Sequence, residues 1–155
     1  MMTLTNEQFK SISNENLTEE YWIFQLGVGY VYHNVPKGIN FSEPYPEFGK
    51  IFWDKIETNV HSLICENGKP KANIEELISG DIRSLAEAVL SILVASYDIT
   101  LAIGIPITAL VLKKGILKFC SKSLNNEPDP KLIKSILENK SLKIKTGKKN
   151  KKASH

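Results

Sequence analysis

Residues 82–120, IRSLAEAVLSILVASYDITLAIGIPITALVLKKGILKFC, decide how the chain folds. Between Ala88 and Leu112 this stretch holds a single charge, Asp98. An apolar run of that length is enough to cross a bilayer. Asp98 near its middle would cost a few kcal/mol in hydrocarbon, however. Gly104 and Pro106 also divide the run into pieces shorter than the roughly 20 residues a span requires. The stretch therefore reads as a buried helical hairpin. Its first arm, about 82–97, carries Leu85, Val89, Ile92 and Leu93 on one side and Ala86, Leu90 and Val94 on another, as a central helix does. Its second arm starts at Gly104-Ile105-Pro106 and runs to about Cys120, leaving Lys113, Lys114 and Lys118 for water. Asp98 falls in the turn, as a cap for residues 99–103. A buried Asp98 would need a partner, such as Arg83 or a tail lysine, or its pKa would rise.

Upstream, residues 46–65 give a clear helix, with Phe48, Ile51, Phe52, Ile56, Val60, Leu63 and Ile64 on one stripe and Asn67-Gly68-Lys69-Pro70 as its stop. Thr5-Asn6-Glu7-Gln8 is a capping box for a short helix over about 6–12. Asn73-Ile74-Glu75-Glu76 is a second, opening a short helix to Ile78, after which Ser79-Gly80-Asp81 breaks and recaps the chain. Residues 21–35 fit two periods. Trp22, Phe24, Leu26, Val28, Tyr30 and Tyr32 alternate as in a strand, while Trp22, Leu26 and Tyr30 share a helical face. Thr18 as N-cap, Glu19 and Glu20 at the positive end, and the lack of a partner strand favour a helix. Residues 34–46 read as a loop, with Phe41 and Tyr45 pinning it to the body, and Asn125-Asn126-Glu127-Pro128 as a turn. Asp129-Pro130 starts a last helix, with Leu132, Ile133, Ile136 and Leu137 on its stripe. The expected fold is a single compact all-α bundle of about five to seven helices around the central hydrophobic hairpin. It spans residues 1–139 and is followed by a disordered Lys-rich tail, 140–155.

The 155 residues carry a formal +3, which describes neither part of the chain. Every acidic residue lies at or before Glu138, so residues 1–139 carry −4. The tail carries +7 through Lys140, Lys143, Lys145, Lys148, Lys149, Lys151 and Lys152. Arg83 is the sole arginine, which weakens sequence-specific nucleic-acid recognition, where the planar Arg fork is preferred. The N-terminal residues lack the basic and apolar regions of a secretory signal. A cytoplasmic protein with Cys65 and Cys120 reduced is the expectation.

No phosphate-binding loop, dinucleotide fingerprint or nucleophile elbow is present, since Gly27-Val28-Gly29 lacks the third glycine. No cofactor, metal or small-molecule substrate is implied. The best catalytic constellation is Glu57, His61 and Cys65, at i, i+4 and i+8 on one helical face. A thiolate and imidazole so placed can bind a metal or act as nucleophile and base. The plainer reading is a solvent-edge Glu–His pair beside a small apolar Cys. His33 reads as a stacking or capping residue. Trp22, Tyr30, Tyr32 and Trp53 are candidate interaction residues, because Tyr and Trp are common anchors, and Trp53 is expected to be partly exposed beside its helix stripe. These features favour a non-enzymatic intracellular interaction or regulatory module, of the kind a small bacterial defence-associated adaptor represents. Its partner would be a protein or a second copy. The alternatives are a membrane-active protein using the 82–120 hairpin, and non-specific binding of nucleic acid or anionic lipid through the tail.

Overall fold

A computed structural model describes residues 2–32, 44–124, 127–139 and 142. The expectations placed on His33, Phe41, the 34–43 loop, Asn125, Asn126 and the tail lysines lie outside these residues. Among the described residues there are eight helices: α1 (Asn6–Ser13), α2 (Glu19–Tyr32), α3 (Tyr45–Ile64), α4 (Ala72–Glu75), α5 (Ile82–Tyr97), α6 (Leu101–Lys114), α7 (Ile116–Ser121) and α8 (Leu132–Asn139). A two-stranded ribbon, β1 (Cys65–Glu66) and β2 (Lys69–Pro70), joins α3 to α4. The protein is an all-α bundle, and the α5–α6 hairpin lies in its core.

Local chemistry explains half of the helix starts among the described residues. Thr5 and Gln8 close the capping box of α1, each side chain bonding the other's backbone N–H. Thr18 Oγ1 accepts from Tyr21 N, and Asp81 accepts from Arg83 N at the start of α5. Asp129 Oδ1 accepts from Lys131 N ahead of α8.

Several boundaries differ from the sequence reading. The second capping box does not form: α4 begins one residue ahead of Asn73, and Ile74 N and Glu75 N donate instead to the Lys71 carbonyl. Asn67 and Gly68 make a two-residue turn with φ of 55° and 79°. Two left-handed residues in succession suit a tight β-hairpin, so the segment is a ribbon as well as a stop. Asp98 closes α5 in the left-handed conformation, at φ 53°, rather than capping residues 99–103. It is exposed, and Thr100 holds the N-cap position of α6. The second arm starts at Leu101, keeps Pro106 inside the helix, and breaks at Gly115, whose φ is 88°.

Packing accounts for the proline. Pro106 has no N–H to give the Ala102 carbonyl. That carbonyl faces α2 at Gly29, where a Cβ would stand 2.5 Å from the oxygen. Gly27, on the other side of α2, lies against α3, and a Cβ there would stand 1.9 Å from the Tyr45 carbonyl oxygen. Gly49 of α3 answers it, its own Cβ position 1.8 Å from the Ile23 carbonyl oxygen. Helix α2 is thus wedged between α3 and α6, backbone against backbone, and Leu26, Trp22 and Tyr30 are buried along it. The α2–α3 contact is the most extensive in the bundle.

The N-terminal residues are strapped onto α5 by three side chains at i, i+4 and i+8. Ser91 Oγ accepts from Met2 N at 2.7 Å, and Glu87 Oε2 accepts from Leu4 N at 2.8 Å. Arg83 donates to the Leu4 carbonyl and to Asn6 Oδ1 while pairing with Glu87. Arg83 is therefore a strap residue and no partner of Asp98. At the other end, Leu142 is buried and its N–H donates to the Tyr30 hydroxyl at 3.1 Å.

Candidate functional site

The Glu57–His61–Cys65 face of α3 is a joint. Cys65 and Cys120 form a disulfide, with Cα atoms 5.4 Å apart. This corrects the expectation of reduced cysteines, and in the oxidised chain neither sulfur is a nucleophile or a ligand. His61 Nε2 lies 3.2 Å from the Cys120 carbonyl oxygen, and its ring rests on Phe119 with centroids 5.4 Å apart. Glu57 pairs with Lys122 at 3.0 Å. All three side chains are turned onto α7 and its C-cap residue. The one-face spacing was legible in sequence; that the face meets α7 was not. Among the described residues no group of three or more His, Cys, Asp or Glu side chains could hold a metal ion.

A second polar knot lies behind it. Asn59 is buried, donates to the Asp129 carbonyl and accepts from Asp129 N, which fixes the approach to α8. The Tyr97 hydroxyl donates to the Asn59 carbonyl at 2.8 Å. Burial pushes the Tyr97 pKa up to about 12. Burial also raises that of Tyr30, against the opposing effect of the Leu142 N–H.

Two grooves flank α2. The first, of about 400 Å³, lies between α1, α2 and the start of α6. Tyr21, Trp22, Gln25 and Tyr32 of α2 form one wall, Gln8 and Ser11 of α1 another, and Leu101, Ile105 and Pro106 a third. None of the described lining residues is charged. Trp22 is 3% exposed, and its Nε1 is buried without a hydrogen-bond partner, a costly state for an indole N–H. Tyr21, 36% exposed, rests edge-on against it with centroids 4.9 Å apart.

The second groove, of about 490 Å³, has Ile23, Trp53 and Leu110 among its apolar walls and a charged rim. The pairs Lys50–Asp54, Lys114–Glu19 and Lys122–Glu57 occupy that rim. Trp53 is 8% exposed, not partly exposed as expected, because α3 turns it towards Phe119, with centroids 6.4 Å apart.

The four aromatic candidates therefore divide. Trp22 and Tyr32 line the first groove and Trp53 the second, whereas Tyr30 is buried against Phe48 and Phe52. Tyr21 belongs to the aromatic cluster marked from sequence, Gln8 was read only as a capping residue, and Gln25 was not singled out; their meeting depends on how α1 packs against α6 beside α2. Among the described residues no helix is long and apolar enough to cross a membrane. No protein-family model, curated protein or solved structure matches the chain.

Proposed function

We propose that the chain is a non-catalytic interaction module whose docking face is the first groove. The observation that carries this reading is the aromatic-walled groove, uncharged among the described residues, with the buried, unpartnered Trp22 N–H beside it. Tyr and Trp supply large contact area with few rotors to freeze, which is why they recur at binding anchors. The reactive side chains found on one face in the sequence are occupied instead in joining α3 to α7, which favours binding over catalysis. The Cys65–Cys120 bond favours an oxidising setting over the cytosol expected from sequence, since reducing systems keep such pairs open.

A photocrosslinking side chain at Tyr21, with a second at exposed Lys69 as control, tests the reading in the native host. A discrete adduct from position 21, with a partner or a second copy, and none from position 69 is the expected result. No adduct from position 21, or the same products from both positions, would overturn it.

A further inference from the structure

We infer that the Cys65–Cys120 disulfide is a redox latch on α7. A dithiol that reduces it frees this helix to leave α3 and uncovers the Glu57–His61–Cys65 face, while the rest of the bundle stays folded. The inference is independent of the groove beside Trp22 and concerns the joint between α3 and α7.

Helix α7 can move as a unit. It is six residues long, too short to keep its helix in water once detached. No side chain caps its start, which is Gly115 at φ 88°. A Cβ at Gly115 would meet nothing within 4 Å, so the chain can pivot there without collision. The elements on either side are anchored without α7. Helix α6 is pressed against α2 at Gly29, and Asp129 makes two hydrogen bonds with Asn59. Besides the disulfide, α7 and its C-cap residue meet α3 through the ion pair of exposed Lys122 with Glu57, the contact of His61 Nε2 with the Cys120 carbonyl, and Phe119 against Trp53 and His61. An ion pair with an exposed partner contributes little. Once the bond is open, burial of Ile116 and Phe119 is chiefly what holds the helix down. The two sulfurs are not equivalent. Cys65 keeps 6% exposure and Cys120 none, so the thiolate of the dithiol attacks the Cys65 sulfur and expels Cys120 as a thiolate. The second thiol of the reductant then attacks its own sulfur in the mixed disulfide. That step releases Cys65 and leaves the reductant as a disulfide. Two electrons pass from the dithiol to the cysteines, and two protons follow through solvent. With α7 lifted, Phe119 leaves Trp53 and His61, and Lys122 leaves Glu57. A carboxylate, an imidazole and a free thiol then stand uncovered on one face of α3.

The test is incubation of the full chain with dithiothreitol in the absence of denaturant. Iodoacetamide labelling, circular dichroism and hydrogen exchange are then read with and without the dithiol. The expected result is no labelling before reduction, labelling of both cysteines after it, and unchanged helix content. Exchange in residues 116–121 should rise at least about tenfold, because that segment now opens locally, while α2 and α5 keep their original rates. Cys65→Ala should show the fast α7 exchange without reductant and no further response to it. The inference is overturned by labelling before reduction, by no labelling after it, by loss of helix throughout the bundle, or by unchanged α7 exchange once both cysteines are labelled. If Cys65→Ala fails to fold, the comparison of oxidised and reduced wild-type chain decides alone.

Discussion

Gly27 and Gly49 show how much of this fold rests on two missing methyl groups. Each lies so close to a backbone carbonyl of the other helix that an added Cβ would sit within 2 Å of the oxygen. Backbone, unlike a flexible side-chain tip, has little room to yield. Gly27→Ala and Gly49→Ala should each cost at least about 3 kcal/mol, at the upper end of overpacking penalties, read as a fall in the urea midpoint. Gly68→Ala is the contrast. It meets nothing within 4 Å and is strained by its φ of 79° alone, so a cost of about 1–2 kcal/mol is expected from the left-handed conformation. Tyr97 supplies a pH test. Its folded pKa, about 12, is raised above the ordinary value of 10.0 by burial. The fold thus favours the neutral phenol. That contribution to stability is complete below about pH 10 and is lost as pH rises through about 12. Tyrosinate absorbance should show a phase near pH 12 that Tyr97→Phe removes.

At the scale of elements, α7 is held by a covalent bond as well as by packing. The Cys65–Cys120 disulfide ties it to the end of α3 across 55 residues of chain. The chain-entropy model gives such a loop about 4 kcal/mol. Thiol counting under denaturing, non-reducing conditions should find none free, and Cys65→Ala should lower the denaturation midpoint by up to that amount. Wild-type stability in the variant would refute the role. The sequence made α3, α5 and α8 legible through their apolar periods, and the starts of α1, α2 and α5 through Thr5, Thr18 and Asp81. It hid what depends on contact at a distance. Pro106 looked like a helix start because the Ala102 carbonyl it orphans is covered by Gly29, 73 residues earlier in the chain. Gly27 and Gly29 looked like defects in α2 and are its points of closest approach. Cys65 and Cys120 could not be paired until α7 returned beside α3. The turn at Asn67-Gly68 was legible and was read too simply as a stop.

On the scale of the whole molecule, the packed body reaches past α8. Leu142 is 5% exposed and is held by the Tyr30 hydroxyl. A chain ending at Asn139 should lose about 1.5–3 kcal/mol through the burial of that one side chain, whereas a chain ending at Leu142 should retain it. Paired denaturation curves separate the two. The candidate site was legible as chemistry and not as place: Trp22 and Tyr32 were marked by residue type, yet the groove they share with Gln8 requires α1 to pack against α6. Its setting has a mechanical consequence. Gly27 and Gly29 lie about 200° apart on α2, so the helix is notched on both flanks. Sliding it by one turn would drive Ile23 or Val31 into backbone shaped around a glycine. Helix α2 is thus keyed against travel along its axis, its register set by the glycines on both flanks.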